Sequence, residues 1–478
     1  MRRILFVALA FIVSNSAGAQ TPSAVNDFIT VDAPVVALTH VRIIDGTGTA
    51  PREDQTIVIN AGRIELVGNS NVLEPPALAK VLDLHGYTVI PGLVGMHDHL
   101  FYPNQVAERG PGWLALYHEM GFSFPRLYLA SGVTTLRTTG SVEPYTDLEI
   151  KKLIDEGREP GPKIQVTGPY LEGAGAYTPQ MHELTGPDDA RKTVDYWADE
   201  GATSFKAYMH ITHAELAAAI QESHKRGLKI TGHLCSIGFR EAAALGIDDL
   251  EHGLFVDTEF VPGKRPDVCP SQQETMATMA TLDIASAPVQ AMIRDLVKRH
   301  VAVTSTLPVF EISLPNRPPL EQRVLDALSP AARLDYLAVR SFVSERQNSF
   351  PEAWKKELEF ERDFVKAGGL LLAGEDPTGY GGDLAGFGDQ REVELLVEAG
   401  FTPVEAIHIA TANGAGYLGL AGQIGAIRTG QEADMVVIHG NPAADINDIE
   451  KVETVFKDGV GYDSAKLIES VKGRVGFE

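Results

Sequence analysis

The sequence has only 2 Cys and 3 Trp in 478 residues, and its bases are outnumbered, with Lys+Arg at 41 against Asp+Glu at 64. Two cysteines cannot build a disulfide framework, so the fold must be held by an apolar core. A net charge of −23 excludes a binder of nucleic-acid backbones, which needs a cationic surface. Long apolar runs are also missing: the longest, Ile4–Val13, is too short for a membrane span of ~20 residues. What is present is a globular composition, 44% hydrophobic with 46 Gly and 28 Pro, in a chain long enough to bury a large core.

The first residues read as an export signal. Arg2 and Arg3 precede the apolar run, and Ala17-Gly18-Ala19 is a small-x-small cleavage site. Residues 1–19 are therefore expected to be removed. That leaves 39 basic against 64 acidic residues, a mature net charge of −25. No Cys follows the cut, so no lipid anchor is expected. The expected location is secreted or periplasmic, with no membrane association after cleavage. Cys235 and Cys269 could pair in such a space or remain buried thiols, and the sequence leaves both open.

Short apolar strands bracket the chain. Val36–Ile44, Thr56–Ile59 and Ile64–Val67 lie at one end, and Ala433–His439 and Val452–Lys457 at the other; the two ends are expected to meet in one small β domain. Between them, eight strand candidates alternate with helices: Val89–His99, Val133–Thr138, Ile164–Gly168, Thr203–Ala207, Lys229–His233, Ile247–His252, Val301–Thr306 and Leu370–Gly374. Thr212-x-x-Glu215 and Thr402-Pro403-x-Glu405 are helix starts, and Ser236 is a candidate cap for Phe239–Leu245. Gly110–Ala130, Phe255–Arg299 and Leu307–Lys366 read as helical insertions. The pattern predicts an α/β fold, a (β/α)8 barrel with its chemistry at the C-terminal strand ends. The expected divisions are 20–90 and 421–478 for the β domain and 91–420 for the barrel.

Polar residues collect at those strand ends. His97 and His99 are two apart and share a strand face, and imidazole is the commonest metal ligand. Lys206 ends the fourth strand, His233 the fifth and His252 the sixth, and Asp376 follows the eighth. In a barrel, these six would surround one pocket.

Several stretches then resemble one family. They are Val89-Ile-Pro-Gly-Leu-Val-Gly-Met-His-Asp-His99, Gly132-Val-Thr-Thr-Leu-Arg137, Phe205-Lys-Ala-Tyr208, Gly232-His233, Leu250-Glu-His252-Gly and Ala373-Gly-Glu-Asp376, with the tail Gly425 to Val437. Together they resemble the amidohydrolase superfamily, in its imidazolonepropionase-like and prolidase-like branch, over nearly all of the mature chain. The resemblance implies a β-sandwich-like domain built from both termini beside a metal-bearing barrel. It makes His97 and His99 ligands of a more buried ion and His233 and His252 ligands of a more exposed one. Lys206 matches a lysine carboxylated to a bridging carbamate, and Asp376 a ligand that also moves the proton. Two divalent ions are implied, zinc best suiting the N/O donors, with manganese, cobalt or iron as alternatives.

The implied activity is hydrolysis of an amide-type C–N bond by a hydroxide bridging the two ions. The substrate would be a small molecule: a dipeptide or N-acyl amino acid first, a cyclic amide second. Ester, lactone or phosphoester hydrolysis at the same site is the alternative, and a catalytically silent metal-binding protein a third reading. Relatives commonly form homo-oligomers. Arg137, Tyr170, Tyr208 and His210 are substrate-contact candidates by position. The chain departs from its relatives at Gly374-Glu375-Asp376, where many read Gly-Thr-Asp, and at Thr138-Thr139, where an Asp is frequent. After the third strand, Gly168-Pro-Tyr170-Leu-Glu172 replaces a Gly-Gly-His run. These departures argue against transferring a named substrate. By strand alternation, Glu375 should point away from the ions.

Overall fold

A computed structural model describes residues 24–105, 115–176, 178–345, 350–379 and 381–476. The export signal expected at 1–19 lies outside the described residues.

Eight parallel strands form the central sheet in chain order. They are β1 (Leu93–Asp98), β2 (Val133–Thr138), β3 (Lys163–Leu171), β4 (Ser204–Ala207), β5 (Lys229–Gly232), β6 (Asp249–Glu251), β7 (Ala302–Ser305) and β8 (Leu371–Ala373). The backbone N–H of Asp376, just past β8, donates to the His97 carbonyl at 2.9 Å and brings the two edges together. A Cβ at Gly374 would stand 2.4 Å from the His97 nitrogen, so this seam needs a residue without a side chain. The strands are buried at every position of β1, β2, β4, β6, β7 and β8, as expected for a parallel sheet covered on both faces. This is the barrel predicted from strand count.

The two ends of the chain pair into a second sheet of nine strands. Val437 of Met435–His439 lies opposite Val89 of Tyr87–Pro91, antiparallel, which joins the C-terminal segment to the N-terminal one. The run Val89–His99, read above as one strand, is thus two strands in two sheets. Gly92 is the joint: a Cβ there would be 2.0 Å from Thr134 Oγ1, so the chain can switch sheets only at glycine.

Two further expectations are corrected. Among its described residues, the insertion Gly110–Ala130 is helical only from Ser123 to Ala130. Before it, Ala115–Glu119 pairs antiparallel with Phe101–Gln105, because Tyr117 points inward and His118 outward with strand period. Ser236 does not cap Phe239–Leu245, whose N-cap is Gly238. The Ser236 hydroxyl instead donates to the Ile211 carbonyl at 2.5 Å. The capping boxes at Thr212/Glu215 and Thr402/Glu405 are present as expected. The insertions after β6 and β7 are helical: Gln272–Ala280 and Ala287–Lys298, then a group ending in Pro330–Ser344 and Phe350–Lys366. No helix among the described residues is long and apolar enough to cross a membrane.

Candidate active site

The strand ends bring the predicted ligands together. Asp376 Oδ1 lies 3.3 Å from His99 Nε2, and its Oδ2 lies 3.7 Å from His97 Nε2 and 3.9 Å from His252 Nε2. Lys206 Nζ is 2.8 Å from His97 Nε2. The His233 ring packs edge-on against His252, centroids 4.4 Å apart. All six residues therefore share one site. His252 and Asp376 hold positive φ angles, 68° and 57°. Such backbone is uncommon outside glycine and concentrates at functional sites.

Three of the imidazoles are oriented through Nδ1. His97 Nδ1 meets Glu251 Oε2 at 2.6 Å, His99 Nδ1 the Gly140 carbonyl at 3.1 Å, and His252 Nδ1 the Thr306 hydroxyl at 2.6 Å. A ring that donates from Nδ1 keeps its Nε2 lone pair free, and here each Nε2 faces Asp376. Burial drives the protonation of His97, His99 and His252 below the ordinary histidine value. Burial, aided by the Lys206 charge, pushes half-buried His233 down to about 3. The rings are thus neutral donors. Burial also lowers Lys206 to about 8, and the chain buries this amine almost completely. Burial alone would raise Asp376, but the neighbouring His97, His99 and Lys206 outweigh it and keep the carboxylate ionised.

These residues fit a divalent metal. His97, His99 and Asp376 offer donor atoms all within 4.8 Å of one another. His252 Nε2 is buried with no hydrogen-bond partner, a costly state for a polar atom that a ligated cation would relieve. Neutral imidazole and carboxylate donors suit zinc and similar ions.

The substrate candidates separate. Tyr208 lines the cavity that opens beside His233, His252 and Asp376. Tyr170 is buried behind it, its hydroxyl 3.5 Å from His99 Nε2. His210 sits aside, its Nδ1 3.3 Å from Glu172 Oε2. Arg137, expected as a substrate contact, lies beneath the site. It is fully buried and donates to Asp249 Oδ2 at 2.9 Å and Glu251 Oε1 at 3.0 Å. Its position follows from β2 alternation, which turns it into the barrel against β6. Glu375 turns away from the ligand set, as strand alternation predicts. Its Oε2 accepts the Asp389 N–H at 3.0 Å, and it shares a buried acidic group with Asp98 and Asp389.

Sequence reasoning passed over Glu251, which links Arg137 to His97. The signal was its place in Leu250-Glu-His252, two residues from β6's start and facing inward with Asp249. Of the two readings left open for Cys235 and Cys269, the structure has the disulfide, and both residues line the cavity.

The Amidohydrolase family model matches residues 357–461. A 134-residue stretch is 32% identical to the ochratoxinase of Aspergillus niger, covering 25% of this chain and 27% of that protein. Over whole folds, the chain is similar to a Bifidobacterium longum protein described as a candidate prolidase. The TM-score is 0.63 at 25% identity, covering 91% of this chain and 98% of that one. The family model and the ochratoxinase match each cover about a quarter of the chain or less, and the likeness over the whole fold is to the prolidase-like structure. Two further likenesses show the same fold. One is a Xaa-Pro dipeptidase with bound methionine in its active site, with TM-score 0.64, 20% identity and coverage of 90% and 100%. The other is the A. niger ochratoxinase structure, with TM-score 0.62, 19% identity and coverage of 90% and 96%. The candidate ligands sit at the C-terminal ends of the barrel strands, where the resemblance places them.

Proposed function

We propose that the protein is an exported, binuclear metal-dependent hydrolase of an amide-type C–N bond, acting on an N-acyl amino acid, a dipeptide or a cyclic amide. The observation that carries the reading is the convergence of three imidazole Nε2 atoms on Asp376, within 3.3 to 3.9 Å. The match to the Amidohydrolase family model and the names of the similar proteins, a prolidase, a dipeptidase and an ochratoxinase, support amide cleavage.

His97, His99 and Asp376 would hold one ion, and His233 and His252 the second, with Lys206 between them as its carbamate. When bound, the ions supply Lewis acidity and acidify a water. The chain's own contribution is orientation and proton transfer. Glu251, the Gly140 carbonyl and Thr306 fix the three rings before substrate arrives, so no reorganisation is needed during reaction. The Thr378 hydroxyl donates to Asp376 Oδ1 at 2.8 Å, which leaves Oδ2 to accept the proton of the attacking water and deliver it to the leaving nitrogen. Lys206 is buried and lowered to about 8, so a substantial neutral fraction can take up carbon dioxide. That exchanges an ammonium, which cannot ligate a cation, for an anionic oxygen donor.

The test is the mature protein loaded with zinc and assayed on amides, dipeptides, esters and lactones, with chelation and metal readdition. Chelator-reversible amide cleavage is expected. Cleavage of esters alone would move the activity to another bond, and full metal loading with no turnover would leave a silent metal-binding protein. The N-terminus of the exported protein, sequenced from the host, should begin near Gln20.

A further inference from the structure

His233, His252 and Asp376 of the candidate ligand set line a cavity of about 420 Å³, a size typical of small-molecule sites. The adjoining lining is aromatic. Phe310, Phe255 and Phe350 form a stack of nearly parallel rings. Phe255 and Phe310 centroids are 4.1 Å apart at 13°, and Phe255 and Phe350 are 5.2 Å apart at 11°. Phe255 and Phe350 are buried, whereas Phe310 keeps intermediate exposure. Phe310 is the member of the stack that packs against a candidate ligand, 5.5 Å from His252 and edge-on to it. Met276 and Val309 extend the apolar surface. Among the described lining residues there is no Lys or Arg, and Asp376 is the one carboxylate.

We infer that this flank is a subsite for a neutral, ring-bearing apolar group on one side of the scissile bond, and that Phe310 sets the preference for it. The inference rests on the hydrolase reading of the same site and narrows its substrate class. A flat ring laid on Phe310 continues the existing stack, in the offset geometry that aromatic pairs prefer. It also removes the apolar surface of Phe310 from water. A free carboxylate or ammonium placed there would lose hydration with no opposite charge to replace it. Among N-acyl amino acids, the favoured member therefore carries an aromatic acyl or aromatic amine portion, and dipeptides with small side chains are poor substrates.

The test separates the subsite from the reaction. Binding of 2-naphthohydroxamate and acetohydroxamate to the zinc-loaded full chain is measured by calorimetry. Both share the chelating head and differ in the ring. The ring compound should bind at least ~10-fold tighter, given that a single methylene in an apolar pocket is worth about 10–200-fold. Phe310→Leu keeps apolar bulk and should cut that ratio severalfold, and Phe310→Ala should cut it further. Equal affinities in the parent, or a ratio untouched by both variants, would overturn the inference. In parallel, amides differing only in methyl or naphthyl on each side of the bond are assayed for kcat/KM. A naphthyl preference on one side is expected, and it should shrink in both variants. If no amide is cleaved while the hydroxamate ratio holds, the amide reading falls and the ring subsite stands. If small and ring amides are cleaved alike with equal hydroxamate affinities, the subsite falls and the amide reading stands.

Discussion

The histidine side of the cavity and its aromatic side are held in place by different means. On the histidine side, side chains come from barrel strands, and each ring that is oriented has a named polar partner: Glu251 for His97, Gly140 for His99, Thr306 for His252. On the aromatic side, the rings come from the segments inserted after β6 and β7, and they hold one another by stacking. Hydrogen bonds impose directions, which a reaction needs. Stacking imposes only a plane and a distance, which is enough to choose a class of substituent. On the proposed reading, the contrast assigns the chemistry to the barrel and the choice of substrate to what is inserted into it. It is open to experiment on both sides.

The largest expected effect is on the polar side. Asp376→Asn preserves shape but removes the proton acceptor, and kcat should fall by about 10²–10⁴-fold, the usual worth of general acid–base catalysis. Metal content, measured by elemental analysis, should change far less than kcat. Near-parental turnover would remove Asp376 from its role and blur the division between the two sides.

The aromatic side has one covalent tie. Cys235 follows His233 by two residues, and its disulfide to Cys269 closes a loop with a sequence separation of 34. By the chain-entropy account, such a loop contributes about 3–4 kcal/mol. The Cys235→Ser/Cys269→Ser double variant should therefore show a clearly lowered Tm. It should also lose substrate discrimination more than metal, because the bridge borders the cavity without ligating. Loss of metal in step with Tm would mean that the two sides are not separable.

The third effect returns to the polar side. Glu251→Gln keeps the hydrogen-bonding shape but withdraws the charge that pairs with Arg137 and orients His97. Partners of this kind are typically worth about 10–100-fold in metal affinity or activity. A competitive chelator titration reads it. Unchanged affinity would make Glu251 a partner of Arg137 only.

The barrel and the convergence of the candidate ligands were legible in the sequence because each depends on local pattern. Parallel strands buried on both faces read as apolar runs, and candidate ligands at strand ends announce themselves by position, as His97, His99, His233 and His252 did. What stayed hidden depends on pairs distant in sequence. Nothing local distinguishes Gly92 as the point where one apolar run changes sheets; the reason is Thr134, which lies in β2. Arg137 looked like a strand-end contact until Asp249 and Glu251, from β6, were found beneath it. The stack of Phe255, Phe310 and Phe350 joins three segments whose spacing follows no period. Residues that act through a neighbour from elsewhere in the chain leave little trace in any window of sequence.

The smallest expected effect probes what stands behind the aromatic side. Phe350 lies on the helix Phe350–Lys366, which also buries Glu357 and Glu361. Glu357 Oε2 accepts the Phe255 N–H at 3.2 Å, and Glu361 Oε2 has no hydrogen-bond partner. Burial raises Glu361 from 4.5 to about 8, so the folded protein keeps a proton that the unfolded chain releases near its ordinary value. The folded state then binds more protons than the unfolded one across that interval. Its contribution to stability is complete below about pH 4.5 and is lost as pH rises through about 8, at up to ~1.4 kcal/mol per pH unit. Glu361→Gln removes the titration, so Tm measured from pH 6 to 9 should decline less steeply in the variant than in the parent. The polar side should feel none of this: at pH 7 the variant should retain parental metal content, whereas a shared loss would show that the helix behind the rings also supports the ligands.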